Sequence, residues 1–280
     1  MITPGPTDRA GAHRLSLKVA ERFVELGYPC LRFDPRGAGE SEGDWGAEYE
    51  GKPILDVYNE VEQGVWVPDT LAAIQHLMDK TGVSSIVLGG TCGGAITALL
   101  AGADLDKVTG LFLVGNPVTL SSVALLNTSW FPDQRLEDES NRYLRRMWQP
   151  SAWLKFITLK ADYKTLREVF VARIRRRLPG ARRAKQKVAE SLLSPQFVEA
   201  FATAIKCGKR MLFVYATNDH HWQEFNQYFV ETRPEKELRA MDIVSIQDAN
   251  HNLTEDPWQD QLFTALASWI GAVASGRYTF

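Results

Sequence analysis

Residues 84–103 read SSIVLGGTCGGAITALLAGA. The apolar run SSIVLGG ends in glycine at position 90, and a small-residue pattern of helical spacing, GGAITALLAGA, begins at 93. Only Thr91 and Cys92 lie between them. A strand that turns into a helix over so few residues holds the residue at the bend up to solvent. It also needs small neighbours on both sides, because the two backbones approach closely. Gly90, Gly93 and Gly94 meet that need around Cys92. The stretch therefore predicts a strand, a sharp elbow carrying Cys92 and a packed helix. Thr81–Ala103 as a whole is uncharged and long enough to span a bilayer, with a small-xxx-small pair at Gly90 and Gly94. Four central glycines, with Thr81, Ser84, Ser85, Thr91 and Thr97, divide it instead into pieces of strand and helix length, so no membrane span is expected.

The same alternation extends in both directions. LSLKVAERFVEL (15–26) repeats apolar residues at helical spacing and stops at Gly27, and YPCLRFD (28–34) reads as a strand. An irregular stretch rich in Gly and Glu covers 37–64. A helix over 68–80 carries Leu71, Ile74 and Leu77 or Met78 on one face, with Pro68 suited to its first turn. Strands are predicted at 108–117, 209–216 and 240–247, and helices near 222–230 and over 257–274. Short strands alternating with amphipathic helices are the pattern of an α/β fold with parallel strands joined by crossovers. Between 118 and 208 the strand signal stops and the sequence reads as helices. The expected organisation is a doubly wound core over 1–117 and 209–280, with a helical cap over 118–208.

At 280 residues and 45% hydrophobic composition, the chain can bury the core of one large domain with an insertion. The net charge of −2 hides an imbalance: Arg135–Lys187 holds sixteen Lys and Arg against five Asp and Glu, a local +11 that leaves −13 elsewhere. The cap is therefore positive, either as a solvated helical face or as a landing surface for something acidic. Cys30, Cys92 and Cys207 form no CxxC and no regular spacing, which argues against a disulfide framework or structural zinc and suits a reducing, cytoplasmic setting. The opening MITPGPTDRAG lacks a basic segment followed by an apolar core, so no secretory signal is expected. Neither a cofactor nor a nucleic-acid partner is expected.

A helix beginning just after Cys92 aims backbone N–H groups at the sulfur, which favours thiolate and makes the Gly93 N–H one half of an oxyanion hole. The alternative is a packed structural thiol. A thiol nucleophile needs a base, and the base needs an orienting acid. Asp219 follows the strand at 209–216 and His251 follows the strand at 240–247. The order Cys92, Asp219, His251 places all three at carboxyl ends of strands, where open α/β sheets build their sites. Asp219 also suits a helix cap, and Asp248 is a rival acid near His251. His13 and His76 read as helix-surface residues. His220 and His221 are adjacent, but no other ligand cluster accompanies them, so no metal is expected.

On these motifs the chain resembles the α/β-hydrolase fold superfamily nearly end to end. GPTDRAGAHRLSLKVAERFVELGYPCLRFDPRGAGESEG (5–43) is similar to the loop, first helix, strand and Gly-rich turn of its hydrolase branch, with the characteristic RFDxRGxGxSxG. NDHHWQEF resembles the acid loop and DANHNL the histidine loop. It looks similar to the serine-aminopeptidase-like hydrolases found beside bacterial surface-polymer and secondary-metabolite pathways. In that family the loop before the first helix supplies the second oxyanion donor, which maps to Gly5 or Thr7, since Pro6 cannot donate. Two departures stand out. Family members usually begin with antiparallel strands, which are not expected here, and the nucleophile is Cys rather than Ser. G-x-C-x-G-G resembles the box of polyhydroxyalkanoate synthases, which transfer acyl groups through a Cys–His–Asp set.

A cysteine nucleophile implies a thioester intermediate that stays reactive toward amines, alcohols and thiols as well as water. The expected function is thus acyl transfer, cyclisation or thioester cleavage, on a substrate carried by coenzyme A or an acyl carrier protein. Both carriers are acidic and suit the Arg-rich cap, with Arg142, Arg145, Arg146, Arg175 and Arg176 as candidate contacts. Hydrolysis of small esters or amides on the same residues, and a non-catalytic binding protein that retains the fold, are the alternatives.

Overall fold

The structure, a computed structural model, describes residues 1–2, 8–43, 54–119 and 192–275. Its centre is a four-stranded, wholly parallel sheet: β1 (Ile86–Thr91), β2 (Val108–Val114), β3 (Arg210–Ala216) and β4 (Met241–Ile246), in that spatial order. The helices are α1 (Leu15–Glu25), α2 (Ile54–Glu62), α3 (Val67–Thr81), α4 (Gly93–Gly102), α5 (Pro195–Lys206), α6 (His220–Glu224), α7 (Glu235–Leu238) and α8 (Asp256–Ala274). Because both faces of a parallel sheet are covered by crossovers, its strands read as continuous apolar runs, and β2 and β3 are buried almost throughout. One face packs α3, α4 and α5 around Leu99, Phe197, Phe201 and Phe213, and the other packs α1 and α8 around Phe23, Phe112, Leu262 and Trp269. Phe197, Phe201, Phe213, Phe225 and Phe229 interlock with ring centroids 4.8 to 6.5 Å apart.

Register puts the working ends of the strands level. Thr91 pairs with Val114, Val114 with Val214, and Ala216 with Ile246. The loops that follow β1, β2, β3 and β4 therefore meet along one edge.

Several expectations are corrected. The predicted strand over 28–34 is not a strand: only Phe33 makes a bridge, to Ile2, which bridges Gly90 on its other side. A ladder needs a partner at every second residue, and among the described residues the segment is met on that side by Met1, whose amino group donates to Leu31 O at 2.7 Å, and by Ile2, whose N–H donates to Gly89 O at 2.8 Å. An apolar cavity of about 290 Å³ lies alongside, lined among others by Met1, Leu31, Phe33, Ile86, Leu88 and Phe112. The irregular stretch at 37–64 contains α2, and the helix expected at 222–230 is α6 followed by a π turn over Phe225–Phe229. The insertion expected over 118–208 begins and ends in the core. Val118 is fully buried, Thr119 pairs antiparallel with Leu193, and α5 packs against α4. Its middle, 120–191, lies outside the described residues. No helix among the described residues is long and apolar enough to cross a membrane.

Candidate active site

Cys92 sits between β1 and α4 with φ 50° and ψ −119°, a left-handed value that a non-glycine residue adopts only under constraint. Its N–H is tied to Val114 O at 2.8 Å, and its carbonyl accepts from Ala95 N at 2.9 Å. Gly90 makes the bend possible: a Cβ there would stand 2.4 Å from the backbone of Gly94. Gly93 is the first residue of α4, so its N–H has no acceptor within the helix.

Asp219 follows β3 and caps α6, its Oδ1 accepting from His221 N at 3.2 Å. Its other oxygen, Oδ2, hydrogen-bonds His251 Nδ1 at 2.6 Å. The cap and the acid are thus one side chain doing two jobs. Asp248, the rival acid, is exposed and lies in a left-handed turn. Its backbone ties the histidine loop to the acid loop: Asp248 N donates to Thr217 Oγ1 at 2.8 Å, and Asn218 Nδ2 donates to Asp248 O at 2.9 Å. Behind it, Gln259 Nε2 donates to Leu253 O at 2.8 Å, which anchors the loop to α8. With Nδ1 committed to Asp219, His251 has Nε2 left for the Cys92 sulfur, and the sulfur lies within 4.8 Å of a ring nitrogen. Gly115, at the end of β2, opens the space between: a Cβ there would meet the His251 ring at 3.2 Å and Asp219 Oδ2 at 3.8 Å.

A second imidazole faces the same sulfur. His221 offers a ring nitrogen within 4.8 Å of the Cys92 sulfur, and its buried Nδ1, without a hydrogen-bond partner among the described residues, lies 3.7 Å from Glu224 Oε2, an ion-pair distance. Glu224 is buried and accepts from Thr119 Oγ1 at 2.8 Å. Sequence reasoning considered His221 only as a metal ligand and did not single out Glu224. The available signal was H-x-x-E at positions 221 and 224, which puts both on one face of a helix. Ser16 was missed too. Its hydroxyl is buried without a hydrogen-bond partner among the described residues, and it lines the small cleft shared by Thr91, Cys92, Val114, His251 and Asn252.

The electrostatics follow from this packing. Burial alone would push the Cys92 thiol up, but hydrogen bonds from His221 and His251 outweigh it and bring the thiol down to about 6. Burial opposes charge on the imidazoles as well. Contacts with Cys92 and Glu224 nonetheless raise His221 to about 10, and contacts with Asp219 and Cys92 raise His251 to about 9. Asp219 is held far below the ordinary carboxylate range, against the cost of burial, by His220 and His251. The packing favours thiolate on Cys92 and the protonated ring on His221 and His251. Donor atoms of Cys92, His221 and His251 lie within 4.8 Å of one another, as do those of Asp219, His220 and His221. A metal ion would also accept such groupings, although the hydrogen bonds already made among them are those of a proton chain.

The structure therefore brings together Cys92, Asp219 and His251 and places Gly93 at the adjoining helix start. Gly5 and Thr7 lie outside the described residues, as do Arg142, Arg145, Arg146, Arg175 and Arg176. His13 is exposed in a short 3-10 turn before α1, and His76 is exposed on α3.

The model of the alpha/beta hydrolase fold family matches residues 9–220. The chain belongs to the α/β-hydrolase fold family. Among solved α/β hydrolases, the Pyrococcus furiosus esterase Pf2001 superposes with a TM-score of 0.52 at 15% identity, over 96% of this chain and 82% of that one. TT1662 from Thermus thermophilus superposes with a TM-score of 0.51 at 14% identity, over 96% and 88%. At such identities the likeness concerns the fold. The quorum-quenching protein AidA of Acinetobacter baumannii (strain MDR-ZJ06) is 33% identical over 104 residues, which span 36% of this α/β hydrolase and 30% of AidA.

Proposed function

We propose that this α/β hydrolase is a Cys–His–Asp acyl-transfer enzyme that works through an acyl-cysteine at Cys92. The observation that carries the reading is the alignment of the Cys92 sulfur, within 4.8 Å of a His251 ring nitrogen, with the 2.6 Å hydrogen bond between His251 Nδ1 and Asp219. The thiolate attacks the carbonyl carbon of an ester or thioester. The Gly93 N–H, with a second donor from the loop at Gly5 or Thr7, stabilises the oxyanion, and the leaving group departs with a proton. His251, kept in one orientation by Asp219, then takes the proton of the incoming acceptor as its lone pair displaces the sulfur. Sulfur favours transfer over hydrolysis because the thioester it forms is still activated toward an amine, alcohol or thiol. A carrier-linked substrate, on coenzyme A or an acyl carrier protein, suits the +11 stretch at 135–187, and a bacterial biosynthetic pathway is the natural setting. Hydrolysis of small esters or amides would use the same residues with water as acceptor. A purely binding role would leave the thiol out of reach of His251, whereas the sulfur and a ring nitrogen lie within 4.8 Å of one another.

The test is competition. With an acyl-CoA donor and a primary alcohol or amine, the acyl-acceptor product should exceed free acid, and C92A should lose at least ~10³-fold in turnover. Unchanged turnover in C92A overturns the reading, and free acid as the sole product restricts it to hydrolysis.

A further inference from the structure

Resting on the acyl-cysteine reading, we infer that His221, backed by Glu224 and Thr119, is a second catalytic imidazole that supplies the leaving-group proton, while His251–Asp219 serves the acceptor. Three observations carry this inference. First, a His221 ring nitrogen lies within 4.8 Å of both the reacting sulfur and a His251 ring nitrogen. The two rings stand 5.3 Å apart at 58°, so they approach the sulfur from different directions. Second, each ring has its own carboxylate. Asp219 sits 2.6 Å from His251, and Glu224 lies 3.7 Å from His221. Third, Glu224 is only 4% exposed, and it is oriented by the Thr119 hydroxyl. A buried carboxylate costs several kcal/mol unless it meets a cation, and His221 is the cationic side chain beside it. The groups facing His221 are Cys92 from the elbow, Asp219, His220 and Glu224 around α6, and His251 from the loop after β4.

One imidazole serving both half-reactions must stay neutral between leaving-group departure and acceptor arrival. Two imidazoles remove that constraint. In the first half-reaction the S–C bond forms and the carbonyl–leaving group bond breaks. The leaving group keeps that electron pair and takes the His221 proton. Acylation removes the thiolate charge that helps hold the His251 proton, and His251 releases that proton to solvent. In the second, the acceptor's bond to carbon forms as its proton passes to the neutral His251, and the C–S bond breaks to restore thiolate. His221 regains a proton from solvent, so the cycle balances as one acyl group exchanged for one proton between leaving group and acceptor.

The experiment compares acylation of Cys92 in wild type, H221Q and E224Q, using matched p-nitrophenyl and alkyl thioester donors, with adduct formation followed by intact mass. p-Nitrophenolate leaves without a proton, whereas an alkylthiolate benefits from one. H221Q should slow the alkyl thioester by about 10²-fold or more and the p-nitrophenyl ester by less than about threefold. E224Q, which keeps the ring, should show the same selectivity at smaller amplitude. H251Q should acylate with the p-nitrophenyl donor yet hold its adduct. If H221Q slows both donors equally, or neither, His221 is not the leaving-group acid. If the wild type forms no adduct at all, the acyl-cysteine reading itself fails, which is a separate result.

Discussion

Cys92 has to be both buried and ionised. It is 8% exposed, and a thiolate so placed is unstable unless nearby donors return more than desolvation removes. Two imidazoles and the start of α4 supply those donors. The sign of the pH dependence follows: the Cys92 value is depressed to about 6, so the thiolate is populated above that pH, and the His251 value is raised to about 9, so its proton is kept below that. Alkylation of Cys92 by iodoacetamide should therefore rise through about pH 6, well below the ~8.5 of an ordinary thiol. Acylation by an alkyl thioester, whose leaving group draws its proton from His221, should plateau between about 6 and about 10 and fall on either side. Rates of peptide-resolved labelling across a pH series measure both, with exposed Cys207 as an internal comparison. A Cys92 midpoint at or above that of Cys207 would remove the thiolate–imidazolium pair from the mechanism. Cys92, Asp219 and His251 were legible in the sequence because each is marked locally, by a glycine-flanked elbow or by a position just past a strand. His221 was obscured because α6 has only five residues, too short for a periodic pattern to assign its faces. Ser16 reads as an ordinary polar residue near the start of an amphipathic helix. Only the packing of α1 against the elbow turns its hydroxyl toward the cleft.

Among the elements, β2 separates Cys92, just past β1, from Asp219, just past β3. The site can close across it only because β2 ends in Gly115, at φ +58°. Gly115→Ala should strain the turn and push the His251 ring off Asp219, cutting kcat by about 10²-fold with a smaller change in KM. Steady-state kinetics alongside a melting curve separate the two effects, and full activity in a folded G115A would show that the ring has room to spare. Sequence reading placed all four sheet strands and the long helices to within a few residues, since apolar runs and helical periodicity are properties of the segment itself. It failed at 28–34 for a non-local reason. The segment has the composition of a strand, but among the described residues it makes no bridge beyond that from Ile2 to Phe33. It also treated α5 as part of the cap. An amphipathic helix looks the same whether it covers a sheet or an insertion, and only its packing on α4 assigns it to the core.

At the scale of the whole molecule, charge is separated along the chain, with +11 over 135–187 and −13 over the rest. If that stretch receives an acidic carrier, kcat/KM for an acyl-CoA donor should fall several-fold as ionic strength rises from about 0.05 to 0.5 M, because the Debye length shrinks below ~10 Å over that range. A neutral ester of the same acyl group should be indifferent to salt. Replacing Arg142, Arg145 and Arg146 together by Ala should remove the salt dependence while leaving the neutral ester's kinetics unchanged. Equal salt responses for the two donors would make the basic stretch a solvated surface. Both readings need the chemistry to run through one atom. The most direct measurement is rapid-quench intact mass and peptide mapping of the protein mixed with an acyl thioester. The expected result is a single acyl mass increment on the peptide containing Cys92, absent in C92A and persistent in H251Q. Turnover of that thioester with no such adduct, or an adduct mapped to Cys30 or Cys207 instead, would contradict it.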